Sequence, residues 1–575
     1  MIHKIINWTK NLWKNNFGIK KNNIKALAVF PTAQEVAKSN GSNKIKMYLN
    51  DPTTPQFIVE GEVVKSKLPI HANGDYGPGF AFGTVQQQAA SCKNMINHAL
   101  TYMMSKTTKT ITKWAATNTL AIMPRAGKDI NAFYDRGALK FFFFGDPIMN
   151  KNIYACDSRS VVIHEFGHAY LDILRPDFWS TQASEIWAFH EAFGDMTAII
   201  ENLQHDVLIQ AAIKETNGDL SKSNILTRLA AEMGTGLFHL TNGENGEPNN
   251  CLRDISISFN YTVPEKLPSE GPDNKIVNEC HSFSRIFSGA FYEIIVKISN
   301  QNMKTGMNQL DSIKSARDTA AYYLISAAIG VPITVRLFDA IARQMMCIDK
   351  SNKGKYQEIL NKVFSDRKII QKTIKMLDVV DIDDITKNIK EPFEIQSHGN
   401  FKVVRTFSNK TLKLIDSLGV IVQTNNPLFN LEIEIPNQMA YYFDENDKLT
   451  ETIQAQDTEI IDAAYNCLDF LHKNNLVGSH DQALFVENNG KLIRKQIVCK
   501  CKPNYCDPNA PEYGKPWKPA NNSGCSTCHR NCLPQSCDCT TTTPSPPPKT
   551  GCYTSIKTGG IRSYKVGQFI SRKVC

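Results

Sequence analysis

A chain of 575 residues is too long for one hydrophobic core and predicts three or four units. Its hydrophobic (42%) and charged (21%) fractions are those of an ordinary soluble globular protein, and no run of about 18 apolar residues is present to span a bilayer. The net charge of +9 is unevenly placed: residues 1–30 hold six lysines and no acid, and residues 494–575 hold thirteen Lys or Arg against Asp507, Glu512 and Asp538. Basic ends of this kind suit an acidic polymer or a membrane surface, beside the plainer reading of solvated tails. No specific nucleic-acid recognition is expected.

In residues 1–30, Ile2, Ile5, Trp8 and Leu12 recur at helical spacing with lysines between them. Two readings stand for this basic amphipathic segment, a helix lying on a membrane or one docked on its own domain. Lysines interrupt every apolar run, so it is not a Sec signal. Residues 31–155 mix strand signals with a helical run from Val85 to Met104, and predict a mixed α+β unit. The most apolar patch, Phe141 to Phe144, has the length of a strand.

Residues 156–350 are predicted to be mainly helical. The first helix carries Val161-Val162-Ile163-His164-Glu165-Phe166-Gly167-His168-Ala169-Tyr170. Residues four apart share a helix face about 6 Å from each other, so His164 and His168 can offer two imidazole nitrogens to one tetrahedral Zn²⁺. Glu165, one position round, is placed to act on a water rather than as a third ligand. The apolar flanks predict a buried helix, where a carboxylate and two imidazoles need partners.

Pro176 ends that helix. A second runs from Ser184 towards Ile200 and sets Glu191 and Asp195 four apart on one face among Trp187, Phe189, Phe193 and Ile199. Glu191 is the expected third zinc ligand, with His190 the alternative, about 100° away round the helix. Asp195 is placed to accept the other ring N–H of a liganding histidine, which fixes its tautomer. A further helix covers Ser315 to Ala328, with Gly306 and Gly330-Val331-Pro332 as punctuation.

Residues 351–400 read as a helical connector. Residues 401–495 predict a small α/β accessory domain: Val403-Val404, Gly419 to Val422 and Leu431 to Ile435 alternate as strands, and Glu459 to Leu471 is helical. The tail, 496–575, holds ten of the sixteen cysteines, with Thr540 to Pro548 as a stiff hydroxyl-rich linker. A segment like this cannot bury a core and needs staples. Disulfides and further Zn²⁺ ions are the two readings of its cysteines; Cys525-x-x-Cys528-His529 also fits haem attachment superficially.

The succession His-Glu-x-x-His then Glu-Ala-x-x-Asp resembles the thermolysin and fungalysin-like zinc endopeptidases, the gluzincins. Asp129-Ile130-Asn131-Ala132-Phe133-Tyr134-Asp135 is similar to their edge strand, Cys251-Leu252-Arg253-Asp254-Ile255-Ser256 to their Leu-Arg-x-x-Ser segment, and Glu279-Cys280-His281 onward to the helix that opens with a histidine. The likeness covers about residues 125–345. It implies a two-lobed α+β metallopeptidase, with 31–155 as the upper mixed lobe, 156–350 as the helical zinc-binding lobe, and one catalytic zinc. It also implies that Asn131 and Ala132 hold the substrate backbone, that Arg253 contacts a substrate carbonyl, and that His281 stabilises the tetrahedral intermediate. The family works mostly outside cells, which favours an extracellular setting and disulfides in the tail.

Three departures stand out. No tyrosine follows the second histidine by about ten residues, where the chain reads Pro176-Asp177-Phe178-Trp179; the nearest candidate for the aspartate partner of His281 is Asp273; and Ser160 stands where calcium-dependent members carry an aspartate, so no calcium site is expected. The expected activity is metal-assisted peptide hydrolysis of a protein or peptide substrate with Glu165 as base. The rival is a binding or adhesion protein on a retained zinc fold, acting through its basic tail. An intact Glu165 favours the enzyme, since a structural site has no use for a base.

Overall fold

A computed structural model of the chain describes residues 44–72, 79–181, 183–241, 251–272, 274–370, 381–398, 401–407, 409–413, 432–436, 438–473, 485–488, 491–494, 496–501 and 537–542. The basic segment 1–30, Asp273, the strand expected at Gly419 to Val422 and most of the cysteine-rich tail lie outside these residues.

The N-terminal part is built on a four-stranded sheet in the order β3 (Ile70–Ala72), β4 (Leu120–Met123), β6 (Ala138–Phe141), β5 (Ala132–Tyr134). The first three are parallel and β5 is antiparallel at one edge, pairing Ala132 with Phe141 and Tyr134 with Leu139. Two ribbons flank it, β1 (Lys44–Tyr48) with β2 (Ile58–Glu62), and β7 (Phe143–Asp146) with β8 (Lys151–Tyr154). Helix α1 (Val85–Ser105) crosses this sheet, opened by Thr84, whose hydroxyl accepts from the Gln87 amide.

The helical part begins with α2 (Arg159–Leu174), which lies against β5 and is buried on every side. A helix buried all round must be apolar all round or hold its polar groups in pairs, and α2 does both. Helix α3 (Ser184–Asn202) packs against α2 and is nearly as buried. After it come α4 (Asp206–Thr216), α5 (Ala231–Leu240) and the short pair β9 (Arg228–Leu229) and β10 (Arg253–Asp254). Then follow α6 (Cys280–Lys304), α7 (Gln309–Gly330), α8 (Leu337–Ser351) and α9 (Gln357–Asp366). Phe166, Phe189, Phe193, Phe283, Phe287 and Phe291 are all fully buried where these helices meet. Burying each contributes about 1.5–3 kcal/mol.

The helical core does not stop near residue 350. Leu360, Val363 and Phe364 of α9 are fully buried against α6 and α8, so the stretch expected as a connector contributes core. After α10 (Ile382–Asn388), an antiparallel sheet follows in the order β11 (Phe393–His398), β12 (Phe401–Thr406), β15 (Ala440–Phe443), β16 (Leu449–Ile453). Val403, Ala440, Tyr442, Ile453, Ile460 and Ala464 belong to the same continuous core as the helices. Charged and polar ties add to it: Arg336 Nε lies 3.1 Å from Glu459, Arg343 pairs with Glu451, and the Gln438 carboxamide accepts from the Ile333 amide at 2.9 Å. The described residues of 401–407 and 438–464 are therefore docked onto the helical core rather than set apart from it.

A second sheet orders β13 (Asn409–Lys413), β14 (Glu432–Pro436), β18 (Lys491–Arg494) and β17 (Phe485–Asn488), and α11 spans Asp457–Lys473. In the tail, β19 (Gln496–Cys501) and β20 (Cys537–Thr542) form an antiparallel ribbon that sets Cys499 opposite Cys539 and Cys501 opposite Cys537. Thr540 to Thr542, expected at the start of a linker, are part of that ribbon. No helix among the described residues is long and apolar enough to cross a membrane.

Candidate metal centre

Helices α2 and α3 approach until their backbones nearly touch. A Cβ added at Gly167 would lie 2.8 Å from the Gly194 Cα, and one added at Gly194 would lie 2.7 Å from the His164 ring. No side chain fits in either place, so two glycines set the crossing. The crossing carries Glu191 over the pair of histidines on α2.

The donors converge. Glu191 Oε2 is 3.3 Å from His164 Nε2, and Glu191 Oε1 is 3.6 Å from His168 Nε2. The two imidazoles stand edge to face with centroids 4.9 Å apart. For a tetrahedral ion with metal–ligand distances near 2.05 Å, adjacent ligand atoms are about 3.3 Å apart. Glu191 Oε2 is buried and makes no hydrogen bond, although imidazole nitrogens surround it. Nitrogen and oxygen atoms held at this spacing without hydrogen bonds fit a shared cation. Burial opposes the charge on Glu191, but the rings of His281, His168 and His164 hold its carboxyl well below the usual range. Burial drives His168 well below the ordinary imidazole value, which leaves a neutral ring able to donate a lone pair.

Glu165 is buried beside both histidines, their ligand atoms and its own all within 4.8 Å of one another. Its Oε2 has no hydrogen-bond partner. Burial pushes its carboxyl up to about 7, with Glu191 adding to the rise and His164 opposing it. Asp195, fully buried, accepts from His164 Nδ1 at 3.0 Å and from the Ser288 hydroxyl at 3.2 Å. That contact leaves His164 Nε2 facing Glu191.

His281 opens α6 and turns Nε2 to 3.1 Å from Glu191 Oε2. Among the described residues its carboxylate partner is Glu279; Asp273, suggested by the sequence, lies outside them. Glu279 Oε1 is 2.6 Å from His281 Nδ1, and the same side chain caps α6 by accepting from the His281 and Ser282 amides. The hint lay in plain view: an acid two residues before a histidine at a helix start is both cap and partner.

Arg253 lies beside these donors, with its guanidinium engaged there. Nη2 is 3.1 Å from Asp195 and Nη1 is 3.9 Å from Glu191, with the side chain 20% exposed. Ala132 lies in edge strand β5, with Asn131 just before it; both side chains are buried. The side of β5 away from β6 has no strand partner among the described residues. His190 is not grouped with the donors. Its ring lies 5.8 Å from that of His168 and 5.5 Å from that of Trp179, and neither nitrogen has a hydrogen-bond partner.

Three features escaped the sequence: the glycine pair, Ser288 behind Asp195, and Cys280, whose buried sulfur lies within 4.8 Å of ligand atoms of Glu191 and His281. No protein-family model matches the chain, and no curated protein matches it.

Proposed function

We propose that this chain is a zinc-dependent endopeptidase of the gluzincin kind, with His164, His168 and Glu191 holding the metal. One observation carries the reading: Glu191 on one helix stands 3.3 and 3.6 Å from two imidazole nitrogens on another, and its buried Oε2, like Oε2 of the neighbouring Glu165, makes no hydrogen bond. A structural zinc site is closed by four protein ligands, whereas three ligands and a neighbouring base describe a hydrolytic one. Zinc bound there would polarise the scissile carbonyl and make a water easier to deprotonate.

The protein's own groups supply the rest. Glu165 takes the proton of the attacking water and passes it to the leaving amine, a transfer favoured when the base titrates near the working pH. Asp195 holds His164 in one tautomer. Glu279 accepts from His281 Nδ1 and offsets positive charge on that ring, so that Nε2–H can donate to the developing oxyanion. As the edge strand of its sheet among the described residues, β5 suits an extended peptide added alongside it. Arg253, anchored on Asp195 beside the donors, is the residue that would contact a substrate carbonyl.

The test is reversible loss of activity. Dialysis against a zinc chelator should abolish cleavage of an unfolded protein substrate, and stoichiometric Zn²⁺ should restore it. Cleavage that persists in metal-free protein would refute the proposal.

A further inference from the structure

A second cluster of metal-type donors lies on the same helix as Glu191 but away from it. Glu201 is ten residues further along α3, about 15 Å at helical rise. His205 follows in the turn before α4, and His98 projects from α1. His98 Nδ1 is 2.9 Å from Glu201 Oε1, and His205 Nε2 is 3.5 Å from the same oxygen. The two rings stack with centroids 5.4 Å apart and planes 21° from parallel. Their ligand atoms and that of Glu201 all lie within 4.8 Å of one another.

A second observation points to a ligand. His205 Nε2 is buried and makes no hydrogen bond, although it faces a carboxylate. A buried ring nitrogen left unbonded is costly, and a cation shared with His98 and Glu201 would satisfy it. The carboxylate is already fixed. Arg159 Nη2 donates to Oε1 at 2.7 Å and Gln204 Nε2 to Oε2 at 2.6 Å, holding Glu201 as outer groups hold metal ligands. The His98 side chain is 38% exposed, which gives an ion a route from solvent.

We infer that His98, Glu201 and His205 form a second metal site, distinct from the His164 centre, that takes a transition-metal dication such as Zn²⁺. Two imidazoles select zinc, copper or nickel over calcium and magnesium, which prefer oxygen. The Arg159 guanidinium repels a cation, so binding here is weaker than at a three-ligand site without such a neighbour. An ion bound here would clip α1 to the end of α3. The inference does not depend on the first centre being catalytic.

Equilibrium dialysis of the full chain against Zn²⁺ alone tests it. His98→Ala and His205→Gln should each bind one zinc fewer than wild type, and His98→Ala combined with Glu191→Ala should bind two fewer. The cysteines of the tail are common to all these proteins and cancel. Added zinc should also raise the melting temperature of wild type more than that of His98→Ala. Equal zinc content in wild type, His98→Ala and His205→Gln would overturn the second site. It would leave the His164 centre to be judged separately, by the zinc lost in Glu191→Ala.

Discussion

His281 shows how one side chain's role depends on what holds its far nitrogen. With Nδ1 tied to Glu279 at 2.6 Å, only Nε2 faces the donors around Glu191. His281→Ala should therefore lower kcat by about 10²–10³-fold with zinc retained, the usual cost of a lost oxyanion donor. Glu279→Gln should show a smaller loss of the same kind; steady-state kinetics with metal analysis would check both. A different residue should reveal itself in the pH dependence of stability. Burial pushes the Asp157 carboxyl from its ordinary 3.8 up to about 6, with Gln88 and Arg125 opposing the rise. Its folded value is the raised one, so the stability it contributes is complete below about pH 4 and lost as pH rises through 6. The loss is on the order of 3 kcal/mol at most. Asp157→Asn should flatten that fall in a denaturant series from pH 4 to 8.

At the scale of elements, the crossing of α2 and α3 is what makes a site of two ordinary helices. Gly194→Ala places a methyl against the His164 ring and should destabilise the protein by about 1–3 kcal/mol while lowering its zinc affinity. Thermal melts and zinc titration of that variant would measure both effects. Much at this scale was legible in sequence. His164, His168, Glu191 and Asp195 follow from four-residue spacing on apolar helices, and the helical reading from Val85 to Met104 meets α1 at Val85–Ser105. The crossing was not legible, because a glycine declares a close approach only when the opposing helix is known. Glu279 escaped for the opposite reason: its contacts with His281 are local, and a cap at a helix start lacks the four-residue spacing that marks the other site residues.

For the whole molecule, the sequence divided the chain at residues 350 and 400, where the pattern of helix and strand changes. Change of secondary structure is not a change of core. Tyr442, Ile460 and Ala464 belong to the same continuous core as the helices before residue 370, and Arg336, Arg343 and Arg405 tie the two together. Truncation at residue 400 should therefore give insoluble or unfolded protein. Truncation at residue 495 removes ten cysteines and thirteen Lys or Arg save Arg494 and Lys495, but no residue of the proposed centre. It should keep hydrolysis of a short unstructured peptide while losing salt-sensitive retention on an anionic resin, since exposed charges are screened within about 8 Å at physiological ionic strength. A folded 1–495 form without peptidase activity would show that the tail completes the site.

The most direct test of the proposed chemistry separates metal binding from turnover in one residue. In the proposed mechanism Glu165 acts as the base and not as a ligand, so Glu165→Gln would spare all three proposed donors. The account predicts wild-type zinc content at the His164 centre in Glu165→Gln, with cleavage of an unfolded protein substrate reduced by at least about 10²-fold. Cleavage at the wild-type rate by zinc-loaded Glu165→Gln would contradict it.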